Sequence, residues 1–217
     1  MFFEFISRLG LLILFCTIVT VVSNAGTVAA CLMVGVKIKK ITVFTGKPVF
    51  TFQTGIGELC IGYVPMGGFV QLDMEVFPAK PLSSRCMVTL SGPLTVFLSS
   101  LICVGLRDAS SNFASTFPQC VEFVISPWPQ GKEFFQVFLG KAQGSPILGY
   151  GVFAAKVAAL NLLPVPPLAG GRILIELTKK RDSGFLANAL TYTGSIVVFI
   201  SLVWMVVAIV RYFCKAH

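Results

Sequence analysis

Long apolar runs limit most strongly what this sequence can fold into. Four of them, at about 9–35, 84–106, 145–163 and 185–212, approach or exceed the roughly 20 residues that a helix needs to cross a bilayer. Hydrophobic residues make up 55% of the 217 residues, whereas charged residues make up only 12%. An average soluble domain has about 25% charged residues. We therefore predict an α-helical integral membrane protein with about four transmembrane helices.

The segment between the first two apolar runs, 36–72, has a different pattern. Its opening, VKIKKITVF, alternates apolar and polar residues, which is the periodicity of a strand. Gly46, Pro48 and Gly55 then interrupt β-branched and aromatic runs, as in hairpins. We predict a small β-sheet that lies at the membrane surface or partly dips into it. Its edge could add a strand from a partner, although a self-contained sheet is the favoured interpretation.

The two later connections are predicted from their prolines and aromatic residues. The stretch 107–144 is polar to mixed and contains Trp128, which is typical of an external loop that rests at the bilayer interface. The third apolar run continues into NLLPVPPLAGG, whose prolines and glycines must end the helix. A third membrane helix and a proline-rich turn therefore occupy about 145–171. The whole chain, 1–217, is predicted as a single membrane domain.

Basic residues concentrate in two of the connections. Ten of the 17 Lys and Arg residues lie in 36–85 and 172–181, so these connections are predicted to face the cytoplasm. The net charge of +8 is then a topology signal and a contact for membrane lipids, and no nucleic acid is expected as a partner. Lys156 falls inside the third apolar run. We predict that it snorkels to the outer interface, because the sequence offers no obvious intramembrane acid as its partner.

Residues that could bind a metal are scarce. The seven cysteines are scattered without a C-x-x-C pair, and the single histidine, His217, is the last residue. An odd cysteine count at these spacings indicates neither a disulfide framework nor a zinc knuckle. No metal or other cofactor is therefore predicted.

Three separated segments carry a resemblance to a known family. They are SNAGTVAA at 23–30, YVPMGGFV at 63–70 and NLLPVPPLAGG at 161–171. Together they resemble the site-2 protease (M50) family of intramembrane zinc metalloproteases. That family has H-E-x-G-H on its first helix, P-x-G-G-[YF]-V in its β region and a later N-x-x-P-x-P-x-L-D-G turn. The resemblance implies the same four-helix architecture as the apolar runs.

The residues that carry the chemistry of this family are substituted. In the family, two histidines one turn apart and the turn aspartate bind zinc, and a glutamate is the general base. Alignment on Gly26 places Ser23 and Thr27 at the histidine positions, Asn24 at the base and Ala169 at the aspartate. A hydroxyl is a poor zinc ligand, alanine has no donor atom, and an amide cannot take a proton from water. We therefore predict no catalytic residue and no metal ligand, and treat these four positions as vestigial.

The polar cluster Ser23, Asn24 and Thr27 has two possible uses. It could line a polar cavity that grips a partner helix or a small ligand. Alternatively, small residues such as those of SNAGTVAA let helix backbones approach closely, and this packing role is favoured. The resemblance also implies a groove for a transmembrane or extended segment, whose candidate residues are Gly67, Gly68, Phe69, Asn161, Pro164, Pro166 and Gly170.

These observations predict a non-enzyme. We expect a catalytically inactive site-2 protease-like protein that acts as a scaffold or helix-binding subunit of a larger membrane complex. The first alternative is an intramembrane zinc metalloprotease with atypical ligands, and the second is a small transporter or channel component. Other integral membrane proteins, in a stable hetero-complex, are the expected partners. A bacterial inner membrane is the expected location, from the compact form of the chain and its short loops.

Overall fold

The computed structural model describes residues 2–125, 140–166, 168–178 and 192–196, together with residues 200, 203 and 207. Its elements, in chain order, are α1 (Phe2–Val34), β1 (Ile38–Thr54), β2 (Gly57–Leu72), a 3-10 helix (Phe77–Ala79), α2 (Leu82–Ile125), α3 (Pro146–Asn161) and α4 (Ala169–Thr178). The chain, predicted as one domain, divides into two compact units, Met1–Leu98 and Ser99–His217.

Two described helices are long and apolar enough to cross a membrane. They are Ile6–Val34 of α1 and Leu82–Glu122 of α2, with mean hydropathies of 2.2 and 1.9. Helix α3 is apolar but has only 16 residues. Its length is about 24 Å at 1.5 Å per residue, less than the roughly 30 Å of a hydrocarbon core. Two of the four predicted spans are thus supported, and most of the predicted fourth span, 185–212, lies outside the described residues.

Helix α1 ends in a left-handed glycine and passes directly into the sheet. Gly35 has a φ of +67°, and the Val36 N–H donates to the Cys31 carbonyl at 2.9 Å. This is the Schellman pattern, which satisfies carbonyls that the last turn leaves unpaired. The Lys80 ammonium donates to the Val34 carbonyl at 3.0 Å. A cation at this position also complements the negative end of the helix dipole.

Strands β1 and β2 bend and exchange partners within one sheet. The second half of β1, 48–54, pairs with 57–62 of β2 as a hairpin. In the first half of β1, residues 40–43 pair with 58–61 as well as with 68–71. Residues 40–43 therefore have neighbours on both sides. The predicted small sheet in 36–72 is confirmed, while its depth in a membrane stays a prediction.

One face of the sheet and the end of α1 form the core of the first unit. Alternation alone would put Ile38 and Ile41 on opposite faces, since they are three residues apart, but the register of β1 shifts between Ile38 and Lys40, and both side chains belong to this core. The buried residues of this cluster are Ala30, Cys31, Val36, Ile38, Ile41 and Val88. The core thus joins α1, β1 and the first turns of α2.

Residues 107–125, the first part of the predicted external loop, are helical. They form a separate helical stretch of α2, because the backbone at Gly105 is non-helical, with a φ of 78° and a ψ of 168°. The second predicted membrane helix, about 84–106, ends at this break, and the external location of the stretch that follows stays a prediction. The polarity of this stretch predicts a loop, but its side chains are satisfied within the helix. Asn112 donates to the Asp108 carbonyl at 2.7 Å, and Thr116 donates to the Asn112 carbonyl at 2.7 Å. Such local bonds let polar residues remain helical. Residues 126–139 lie outside the described part of the chain.

Candidate functional site

The polar side chains of α1 face two different neighbours, α2 and the sheet, because the helix rotates between successive residues. Ser23 and Thr27 are four residues apart, so they share one face of α1. Asn24 follows Ser23 and is rotated from it by about 100° around the helix axis. The two zinc-ligand positions of the family and its base position therefore meet different parts of the first unit.

Ser23 and Thr27 lie against α2 in a contact made by small residues. A Cβ atom added to Gly92 would lie 2.7 Å from Ser23 Oγ and 3.1 Å from Thr27 Oγ1. One added to Gly26 would lie 2.7 Å from Thr95 Cβ. Each helix thus places a glycine where the other places a hydroxyl residue, which lets the backbones approach closely. The Thr27 hydroxyl donates to the Ser23 carbonyl at 3.1 Å, within its own helix.

Asn24 points towards the sheet instead. Its side chain is 7% exposed, and Nδ2 donates to the Thr42 carbonyl of β1 at 3.0 Å. A Cβ atom added to Gly68 would lie 2.6 Å from Thr20 Cγ2 and 3.2 Å from Asn24 Nδ2. The second glycine of the G-G-F segment therefore lets β2 lie against α1 at this level. The Asn24 amide is committed to a backbone carbonyl, and it has no basic group that could activate water.

In the second unit, Ala169 is the first residue of α4 and follows a tight turn. A Cβ atom added to Gly170 would collide with the carbonyl oxygens of Leu162 and Leu163. The turn predicted to reach residue 171 therefore ends earlier, because the Arg172 N–H already donates to the Leu168 carbonyl at 3.0 Å. Part of the predicted basic connection, up to Thr178, is helical.

The candidate groove residues differ in how much surface they offer. In the first unit, Phe69 is 50% exposed and Gly67 is also exposed, whereas Gly68 is packed against α1. In the second unit, Pro164 is exposed and Pro166 is buried. The partly buried Asn161 donates its side-chain amide to the Val157 carbonyl at 3.0 Å, inside α3.

Polar contacts between α2 and α3 in the second unit were not predicted. The Ser99 and Tyr150 hydroxyls lie 2.9 Å apart, and the Lys156 ammonium donates to Gln119 Oε1 at 2.6 Å. Lys156 is only 7% exposed, so the prediction that it snorkels is wrong. The ammonium is bound by an amide oxygen and not by a carboxylate. Gln119 belongs to the stretch predicted as a loop, so no sequence pattern points to this pair.

Outside the membrane-spanning segments, Asp73, the residue that follows β2, forms an ion pair. Lys39 Nζ and Asp73 Oδ1 form an ion pair at 3.0 Å, and the Glu75 N–H donates to the same carboxylate oxygen at 3.1 Å. The hydrogen bond from Lys39, followed by that from Glu75, lowers the pKa of the Asp73 carboxyl group. This ion pair connects the start of β1 to the turn that leads into α2.

The described part of the chain contains no group of three His, Cys, Asp or Glu residues that could together hold a metal ion. Cys31, the thiol nearest along α1 to the polar cluster, has no exposed surface and belongs to the core of the first unit. That the chain binds no metal stays a prediction.

Comparison with known proteins identifies the family. The sequence profile of peptidase family M50 matches residues 11–205, which includes parts of both compact units. A comparison with curated proteins finds no match. Proteins of family M50 are membrane-embedded, in agreement with the two long apolar helices. The resemblance inferred from the three motifs is confirmed, and the chain belongs to peptidase family M50, the site-2 protease family.

Proposed function

We propose that this chain is a catalytically inactive M50 protein that acts as a scaffold or helix-binding subunit of a membrane complex. One observation carries the proposal: three positions that the family uses for chemistry take part in packing here. Ser23 and Thr27 lie against Gly92, and Asn24 binds the Thr42 carbonyl. None of these side chains supplies an imidazole or a carboxylate to hold zinc or accept a proton.

The binding role follows from what a peptidase framework does without its chemistry. A groove that receives a transmembrane or extended segment, and cannot cut it, holds that segment as a stable partner. Gly67 and Phe69 offer exposed backbone and an exposed aromatic ring on β2. Aromatic anchors of this kind contribute much of the binding energy in protein interfaces. The proposed setting is a bacterial inner membrane, with other integral membrane proteins as partners.

The proposal is tested by recovering the full chain, tagged and at native expression, from membranes in a mild detergent. We expect at least one other membrane protein to co-purify at constant stoichiometry, measured by quantitative mass spectrometry. Phe69→Ala is expected to weaken that association about tenfold, as for an interface hot spot. Phe52→Ala is the matched control, since Phe52 and Phe69 are 52% and 50% exposed. Recovery of this chain alone would contradict the scaffold function.

The main alternative is an intramembrane metalloprotease with atypical ligands, and family membership itself favours it, because M50 proteins are normally proteases. Proteoliposomes that contain the full chain, zinc and a transmembrane substrate separate the two functions. Cleavage that stops when a chelator is added would establish the protease. Our proposal predicts no cleavage above that of empty liposomes.

A further inference from the structure

A cavity of about 160 Å³ lies in the sheet of the first unit, and Lys40, Thr42, Cys60, Phe69 and Gln71 are among the residues that line it. One water needs only about 10–15 Å³ of such space. The cavity can therefore hold a small polar group. Apart from Phe69, none of these side chains belongs to the candidate groove.

The register of the strands explains why these side chains meet. Thr42 is paired with both Cys60 and Phe69, and Lys40 is paired with Gln71. Paired residues point to the same face of a sheet, and residues two apart along a strand share that face. Ile41 lies between Lys40 and Thr42 and points the other way, into the core with α1. The lining is thus the second face of the sheet.

Thr42 is the first reason to assign a ligand to this cavity. It is 6% exposed, and within the described ranges its Oγ1 has no hydrogen-bond partner. A buried hydroxyl without a partner is unfavourable and calls for an explanation. The neighbouring Cys60 thiol differs, because its Sγ lies 3.5 Å from Glu58 Oε1 as a donor. The Thr42 hydroxyl therefore has no competing partner among the described residues.

The charge at the cavity is the second reason. Lys40 forms no ion pair with the described part of the chain, whereas the adjacent Lys39 is paired with Asp73. Glu58 is opposite Lys40 in the register, but it is not among the cavity-lining residues and accepts a hydrogen bond from Cys60. The cavity therefore combines an ammonium, a hydroxyl and the Gln71 amide, all of which can donate to an anion.

We propose that this cavity binds a phosphate group, either inorganic phosphate or the headgroup of an anionic phospholipid. Lys40 supplies the positive charge, and Thr42 and Gln71 supply neutral donors to the phosphate oxygens. The sheet begins only a few residues after α1, a helix long enough to cross a membrane. A lipid headgroup at the membrane surface can therefore supply the same phosphate chemistry as the free ion.

The test uses the full chain purified in a neutral detergent. One arm titrates inorganic phosphate by calorimetry, and the other counts retained phosphatidylglycerol, against diacylglycerol without the phosphate, by native mass spectrometry. Thr42→Val and Lys40→Gln are each expected to weaken binding about tenfold, as for loss of a hydrogen bond to a charged group. Lys37→Gln is the matched control, because Lys37 is exposed and does not line the cavity.

The variants also separate binding from folding. Thr42→Val replaces an unbonded hydroxyl by a methyl group of the same shape, so the melting temperature is not expected to fall. If that variant does not fold, Lys40→Gln at a partly exposed position decides the question. Phosphate binding that both variants weaken supports the free ion, and retention of phosphatidylglycerol alone supports the headgroup. Binding of neither ligand, or binding that neither variant weakens, would overturn the proposal.

Discussion

The α1 polar cluster and the proline-rich turn differ sharply in how they match the family pattern. In the cluster only Gly26 agrees with the family motif, whereas in the turn Pro164, Pro166 and Gly170 agree and Ala169 departs. The agreeing glycines are those that let backbone segments approach closely, as Gly26 does at α2 and Gly170 does within the turn. The comparison teaches that residues that shape the backbone and residues that hold the metal are separable. Under the proposed function, packing uses the positions that the family uses for chemistry.

The largest expected effect is in the turn, at Gly170. A Cβ atom there meets backbone carbonyl oxygens, which cannot rotate away as a side chain can. We expect Gly170→Ala to lower the free energy of unfolding by about 3 kcal/mol, as for severe overpacking. Gly144→Ala is the control, because nothing lies within 4 Å of its added Cβ. Unfolding by SDS titration measures both, and equal stability of the two variants would contradict this geometry.

A smaller effect is expected in the α1 cluster, at the contact with α2. Gly92→Ala brings a Cβ to 2.7 Å from Ser23 Oγ, which should cost about 2 kcal/mol because the hydroxyl side chain can partly yield. Ser23→Ala in the same chain should recover about 1 kcal/mol of that loss. The double-mutant cycle is the measurement. Strict additivity of the two substitutions would mean that Ser23 does not lie against Gly92.

Asn24 should show a smaller loss still, because it contributes one hydrogen bond. Asn24→Ala removes the donor to the Thr42 carbonyl, and we expect about 1 kcal/mol of destabilisation. Thr17→Ala is the matched control on the same helix, since the Thr17 hydroxyl bonds only the Ile13 carbonyl at an exposed site. Its expected change is within about 0.5 kcal/mol. A larger loss of unfolding free energy for Thr17→Ala than for Asn24→Ala, measured by chemical denaturation, would show that Asn24 does not contribute to the packing of α1 against the sheet.

The smallest expected effect is the pH response of Asp73. Its folded-state pKa is lowered below the ordinary value of 3.8. The ionised form therefore stabilises the fold above about that pH, and the contribution is lost as the pH falls through the folded-state value. Asp73→Asn should flatten the fall in melting temperature below pH 3.8, as should Lys39→Gln. Melting curves of wild type and variants that remain parallel would show that the ion pair contributes nothing, as exposed pairs often do.

Much of the first unit could be predicted from its sequence, because local patterns determine it. The apolar run predicts α1, and the alternation at 38–43 predicts a strand, but the burial of both Ile38 and Ile41 depends on a register shift that alternation does not predict. The close approach of α1 and α2 could be predicted from their small residues, but the hydroxyl residue that lies against Gly26 or Gly92 depends on how the two helices cross. The cavity at Thr42 depends on the bend of both strands, for which the sequence offers only glycines and prolines as signals.

The second unit was harder to predict, because tertiary contacts override local polarity there. The polar stretch 107–125 has the composition of a loop, yet its side chains bond within α2. The sequence predicts no partner for Lys156, because Gln119, which accepts its hydrogen bond, lies in the stretch that is predicted as a loop. The motif at 161–171, by contrast, could be recognised because prolines and glycines restrict the backbone whatever surrounds them.

We propose that packing has replaced chemistry in this M50 protein. The zinc content of the purified full chain tests this proposal. The chain would be loaded with excess zinc in detergent, freed of loosely bound metal by gel filtration, and measured by plasma mass spectrometry. We expect far less than one zinc per chain, because Ser23, Thr27 and Ala169 offer no family ligand. One zinc retained per chain, and lost in Thr27→Ala, would contradict it.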